Sequence, residues 1–221
     1  MTSTGTRGTH VETGIPPTGG SSPKVCSSSV VGRILTAAGA LGLAASLILT
    51  IEKFQLLTDP SYRPSCSINP VLSCGSVMSS PQASIFGFPN SILGVVAFTV
   101  LLTTGIVTLT TTSALPQWYW RSIVIGLFAG AVLIHWLIFQ SLYRIQALCP
   151  YCMVVWVVTM TALWYAVLHL CARRPASSSS RSLNNIVALG ARNHSLVLTI
   201  WVLSVASLIL GAFWDYWSTL V

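Results

Sequence analysis

The run Ala147-Leu148-Cys149-Pro150-Tyr151-Cys152 sets two thiols on either side of a Pro-Tyr pair, at the mouth of a long apolar stretch. Cysteines at that spacing close a small disulfide or supply two ligands to a metal. Pro150 suits the first turn of a helix, where a missing backbone N–H costs nothing. The positive end of that helix favours a thiolate over a thiol at Cys149 and Cys152. A pair so placed suits repeated oxidation and reduction. A zinc site would need further ligands at close spacing, and no second Cys-x-x-Cys or nearby histidine supplies them. A buried structural bridge is the plainer alternative. A second pair, Cys66 and Cys74, has seven residues between its members, and Cys26 and Cys171 complete the six cysteines.

These residues must be positioned by a chain of 221 residues that is 53% hydrophobic and only 7% charged, with a mean hydropathy of +0.75. A soluble domain carries about 25% charged residues, and four acids cannot cover a water-facing surface of this size, so the class expected is an all-α integral membrane protein. The net charge of +7 does not argue for nucleic acid, because no aromatic-rich basic stripe accompanies it. Apolar runs occupy about 34–51, 89–111, 121–142, 149–171 and 196–214. At ~1.5 Å per residue, each with its flanks crosses a hydrocarbon core of ~30 Å. Residues 1–30, rich in Ser, Thr, Gly and Pro, are expected to form a disordered tail. Residues 31–175 then form a four-helix core, 176–194 a polar linker, and 195–221 a fifth membrane helix and the C-terminus. Gly39, Gly42, Ala44 and Ala45 give the first helix small faces for close packing.

The longest connection, 52–85, contains four prolines and the Cys66/Cys74 pair, yet it is too apolar for a free solvated loop. It is expected to lie back over the membrane face as a cap, with a short amphipathic helix near 73–80. Basic residues orient the spans. Arg7, Lys24, Arg33, Arg121, Arg173, Arg174, Arg181 and Arg192 fall on one side, against Lys53, Arg63 and Arg144 on the other. The positive-inside rule puts the first set, with the N-terminus and the linker, in the cytoplasm. Cys66, Cys74, Cys149 and Cys152 then share the oxidising face, where disulfides persist. Cys26 and Cys171 fall at the reducing side.

Two pairs on one face make an electron relay if a thiolate of one can attack a sulfur of the other. A loop pair can meet an external protein while a helix-end pair sits at the mouth of the bundle. No haem or iron–sulfur ligand pattern is present, and a lipid-soluble quinone reaching a site between helices fits the need for an acceptor.

Cys66-x7-Cys74, Ser80 six positions later, Asn90-Ser91-Ile92-Leu93-Gly94 and Cys149-Pro150-Tyr151-Cys152 resemble the vitamin K epoxide reductase family in order and spacing, over about residues 31–175. The resemblance implies a four-helix bundle around a quinone, menaquinone or ubiquinone, with the loop pair over its open end. It also implies roles: Cys66 exchanges with a thioredoxin-fold partner, Cys74 attacks Cys149, and Cys152 faces the quinone. Asn90 is similar to the family's hydrogen-bond donor to a quinone oxygen, and Ser80 to its hydroxyl beside the loop cysteine. Trp156 stands where animal members carry a tyrosine; an indole N–H can donate a hydrogen bond but has no phenolic proton. Trp156, one turn below Cys152, is the candidate wall residue for the quinone. Some bacterial members carry a fused thioredoxin-like domain. The residues after Cys171 hold one more span and no further Cys-x-x-Cys, so the partner is expected to be a separate protein and the chain a free-standing bacterial form.

Plainer roles stand beside these. Ser80 and Asn90 can serve as helix caps alone, and His135, mid-span with no acidic partner in any span, is expected to be a neutral packing residue. The functional alternatives are the other bacterial quinone-linked disulfide oxidase, in which the Cys-x-x-Cys precedes the second pair, and a small transporter or membrane scaffold braced by two external disulfides.

Overall fold

The computed structural model describes residues 27–59, 61–69, 71–111, 115–173, 188–190 and 192–218. The first helix, α1, spans Ser28–Thr58, and a short α2 covers Cys74–Ser79, followed by a 3-10 turn at Pro81–Ser84. Then come α3 (Asn90–Thr110), α4 (Gln117–Gln140), α5 (Pro150–Ala172), α6 (His194–Ala212) and the short α7 (Trp214–Ser218). Among the described residues, five helices are long and apolar enough to cross a membrane, so the chain is a multi-pass membrane protein. No β-strand occurs among them; the sole sheet-like contact is a parallel bridge between Leu72 and Leu148.

The span boundaries follow hydropathy to within a few residues, except at the end of α1. That helix passes residue 51 and runs to Thr58, so Glu52 and Lys53 are helical, and the connection begins at Asp59. Its 31 residues measure about 46 Å at ~1.5 Å per residue, well beyond a ~30 Å hydrocarbon core. The turns carrying Glu52 and Lys53 are the ones on which the cap rests, through Ser65 and the Met78 carbonyl. Asp59 ends the helix by taking an extended backbone and accepting from the Ser61 N–H at 2.9 Å and the Ser61 hydroxyl at 2.6 Å. At the other end, α1 already includes residues 28–30, which composition alone assigns to the tail. Residues 1–26, with Cys26, and most of the 176–194 linker lie outside the described residues.

The bundle has one tight seam and one open seam. Where α1 crosses α3, a Cβ on Gly39 would stand 2.5 Å from the Leu102 backbone nitrogen, and one on Gly105 would stand 2.5 Å from that of Thr36. Only glycine permits that approach, the device membrane helices use when lipid gives no hydrophobic drive to associate. Nearer the cysteine end, the Thr50 hydroxyl adds a hydrogen bond to Ser91 Oγ at 2.9 Å. α5 packs against α1 and α4, whereas α3 and α4 barely touch one another. Val31, Leu35, Trp120, Ala162 and Ala166 fill the half of the bundle far from the cysteines.

α6 stands outside the four-helix core with no buried residue of its own. Trp201 Nε1–H donates to His135 Nε2 at 3.0 Å, and His135 Nδ1 lies 2.7 Å from the Ala131 carbonyl. Because Nε2 accepts, Nδ1 carries the proton and donates to that carbonyl, leaving a neutral ring. His135 is thus a packing residue that holds α6. Phe213, just past α6, is buried against Val71, Leu142 and Leu148 at the cysteine end.

Candidate redox site

Two short backbone devices bring the cysteines together. After α4 the chain takes a π-helical turn at Ser141–Ile145 and then a left-handed residue, Gln146 (φ 55°), which reverses it toward α5. Five residues upstream of α2, Asn69 Oδ1 accepts from the backbone N–H groups of Val71 (3.0 Å) and Leu72 (2.7 Å), curling the loop. The two segments then pair. Leu148 N–H donates to the Val71 carbonyl at 2.7 Å and Ser73 N–H to the Leu148 carbonyl at 3.0 Å. That register puts Cys74, the first residue of α2, beside Cys149, the N-cap of α5.

Cys66 and Cys74 form a disulfide, while Cys149 and Cys152 are free thiols. Cys74 Sγ lies 3.1 Å from Cys149 Sγ. All three of Cys66, Cys74 and Cys149 are buried, at 6%, 0% and 1% exposure. Their sulfurs fall within 4.8 Å of one another, a cluster that in another setting would hold a metal ion. Here two of the three are joined to each other, and a disulfide sulfur is not the thiolate a metal requires. The arrangement is that of thiol–disulfide exchange, with a third sulfur packed against an existing S–S bond.

Cys149 behaves as its place at a helix N-terminus predicts. The Cys152 thiol donates to it, and the backbone N–H groups of Cys152 and Tyr151 point at it. These contacts hold the Cys149 thiol below its ordinary pKa, against burial and the nearby Glu52 charge, which act in the opposite direction.

Below the cysteines lies an apolar cavity of about 130 Å³. Cys152 and Trp156 line it from α5, Asn90 from α3, Met78 from α2 and Lys53 from α1. A second cavity of about 340 Å³ fills the gap between α3 and α4, and it shares Asn90, Gly94, Ile134, Leu137 and Val155 with the first. Asn90 sits at the junction. Its Nδ2 donates to the Gln82 carbonyl at 2.7 Å and its Oδ1 accepts from Ile85 N–H at 3.2 Å, so it also ties the 3-10 turn to α3. Ser80 is placed differently. It closes α2, its hydroxyl donating to the Val77 carbonyl at 2.7 Å, and it does not line either cavity.

Two site residues were not singled out from the sequence. Glu52 is 4% exposed. Its Oε1 accepts from the Ser65 N–H at 3.1 Å and from the Ser65 hydroxyl, and its Oε2 lies 3.4 Å from Cys66 Sγ. Lys53 Nζ donates to the Met78 carbonyl at 2.6 Å, fastening α2 to α1. The available signal was an acid–base pair at the end of a span in a chain with four acids in all.

Among curated proteins none matches the chain. The family model described as vitamin K epoxide reductase family matches residues 33–167, which takes in α3, α4, most of α1 and α5, and both cysteine pairs. With that match over more than half of its length, and with sulfurs of the two pairs in contact at 3.1 Å inside it, the chain belongs to the vitamin K epoxide reductase family and is a membrane-embedded thiol–disulfide oxidoreductase.

Proposed function

We propose that the protein reoxidises an extracytoplasmic thioredoxin-fold disulfide donor and passes the electrons to a membrane quinone. The observation that carries this is the 3.1 Å approach of Cys74 to Cys149, one sulfur from each pair. A disulfide that only braced a loop would have no use for a free thiol at that distance. The partner's thiolate attacks Cys66, and Cys74 leaves as a thiolate. The partner's second thiol then releases Cys66 and departs oxidised. Cys74 attacks Cys149 in the oxidised helix pair, and Cys152 takes the displaced electron pair. Cys66 finally attacks Cys74, restoring the loop disulfide and leaving both Cys149 and Cys152 reduced, the pairing seen in the fold.

Support for a quinone comes from the donor set and shape of the cavities. Together they fall in the ~300–1,000 Å³ range of small-molecule sites, with apolar walls and few polar groups. Asn90 and Lys53 each keep an N–H beyond the one given to a backbone carbonyl, and either can hold a carbonyl oxygen. A bound quinone supplies a sink for two electrons and two protons. Cys152, of the four relay cysteines, is the one on the cavity wall, and Trp156 lines the same wall one turn along α5. The gap between α3 and α4 gives a lipid-soluble tail a way out to the bilayer. The basic residues argue for a cytoplasmic N-terminus and for a redox site on the outer face of a bacterial cytoplasmic membrane.

Purified protein given dithiothreitol and a short-chain quinone is expected to bleach the quinone catalytically, and Cys152→Ser to abolish this. A wild-type protein that leaves the quinone unreduced would overturn the proposal in favour of a scaffold with structural bridges.

A further inference from the structure

Glu52 is costly where it stands. A carboxylate taken out of water is unfavourable unless its oxygens are bonded or its charge is used. Its two oxygens are employed differently. Oε1 accepts twice from Ser65, whereas Oε2 faces the sulfur of Cys66 at 3.4 Å. A disulfide sulfur carries no proton, so in the closed loop pair that contact is not a hydrogen bond. Once Cys66 is a thiol, its S–H points at an acceptor already in place.

The relay needs such an acceptor at one step. When Cys74 is joined to Cys149, Cys66 must attack Cys74 to finish the exchange, and the attacking species is the thiolate. Cys66 is buried, and water is a poor base. Of the acids whose side chains are described, the other is Asp59, which is exposed and engaged by Ser61.

We propose that Glu52 is the general base of the resolving step, taking the Cys66 proton on Oε2 as the Cys66 sulfur attacks Cys74. The Cys66–Cys74 bond forms, the Cys74–Cys149 bond breaks, and Cys149 leaves with the electron pair, received by the N–H groups at the start of α5. The proton on Glu52 passes to water on the side of exposed Ser65. The inference rests on the relay proposed above and adds the residue that activates its resolving sulfur. A base at Cys66 speeds the closing of the loop pair, the step that delivers electrons to the helix pair, and its conjugate acid speeds the reverse equally, so the direction is left to the acceptor. The groups at Glu52 are Ser65 and Cys66 from the loop, the latter bonded to Cys74, and Cys149 at the start of α5, which feels its charge. Lys53, its neighbour on α1, turns to the Met78 carbonyl.

The test follows the Cys74–Cys149 link during turnover with dithiothreitol and quinone, by acid quench, alkylation and mass spectrometry of non-reduced peptides. Glu52→Gln keeps an oxygen for the Ser65 N–H but cannot take a proton. It is expected to slow resolution on the order of a hundredfold near pH 6.5 and to accumulate the link. Because Cys66 must then ionise unaided, the defect is expected to shrink about tenfold per pH unit toward pH 8.5. Glu52→Asp, which draws the carboxylate back from Cys66, is expected to show an intermediate defect with the same pH trend. Ser65→Ala loosens the loop yet keeps the base, and its link is expected to follow the wild-type pH profile. Cys66→Ser is the reference, trapping the link at every pH. Wild-type link levels in Glu52→Gln and Glu52→Asp, with the link trapped in Cys66→Ser, would overturn the role of Glu52 and leave the relay standing. No link in Cys66→Ser, with turnover intact, would overturn the relay and the role of Glu52 with it.

Discussion

The two cysteine pairs sit within touching distance, yet they are built for opposite duties. Cys66 and Cys74 are carried by a curled loop and a six-residue helix, held to the bundle by side-chain contacts from Glu52 and Lys53. Cys149 and Cys152 belong to the first turn of a 23-residue membrane helix, one as its N-cap and one on a cavity wall. The first pair is buried as deeply as Cys149, but on short segments tied to the bundle by hydrogen bonds and one bridge, whereas the second is part of a membrane helix. The difference teaches that the two pairs are divided by what carries them. In the proposed relay the loop pair meets the partner, and the helix pair keeps a constant distance to whatever occupies the cavity.

The sharpest way to break that division is to change the reductant. With a protein dithiol, Cys66→Ser is expected to lose turnover by several orders of magnitude, the scale of removing an essential nucleophile's partner. With dithiothreitol, small enough to reach the helix pair, the same variant is expected to keep a measurable rate of quinone reduction. Equal loss with both reductants would erase the distinction between the pairs.

Next in size is trapping. Cys74→Ser leaves Cys66 without its intramolecular partner, so it is expected to accumulate in a mixed disulfide with a secreted thioredoxin-fold protein. The adduct would appear as a higher band on non-reducing gels and vanish when Cys66 is also replaced. Full activity without any adduct would remove Cys66 from the exchange.

A smaller effect sharpens the electrostatic contrast. Since its hydrogen bonds lower the Cys149 pKa, the thiolate persists at lower pH than usual and is lost only as pH falls through that depressed value. Ultraviolet thiolate absorbance of the reduced protein is expected to titrate in part with a midpoint below the usual thiol value of ~8.5. Cys152→Ser, which exchanges an S–H donor for a hydroxyl on a shorter bond, is expected to move that midpoint, and Cys149→Ser to remove it. The smallest effect belongs to Asn90→Ala. Loss of one neutral hydrogen bond of about 1 kcal/mol predicts roughly fivefold weaker quinone binding, measured by titrating quinone against the rate.

Much of this was legible in the chain itself. Span positions follow from apolar runs, and α2 at Cys74–Ser79 falls where the amphipathic segment was expected. Cys152 and Trp156 share a cavity wall, as residues four apart on one helix face do. Other features were hidden for identifiable reasons. Hydropathy marks where the membrane ends and not where a helix ends, so the turns bearing Glu52 and Lys53 read as loop. The Leu72–Leu148 bridge joins segments 76 residues apart and has no local signature. Ser80 shows the limit of spacing: its distance from Cys74 is set by a short helix, and its hydroxyl is used to close that helix.

The glycine seam carries a further consequence. Since Gly39 and Gly105 let the α1 and α3 backbones touch, these two helices act as a single plank, and no bulky molecule can part them. What room there is lies on the other flank of α3, where the larger cavity separates it from α4. That flank is closed at its far end by the 2.7 Å hydrogen bond between the Thr104 and Tyr119 hydroxyls and by buried Trp120. The bundle is therefore one-sided, welded along one edge of α3 and gapped along the other.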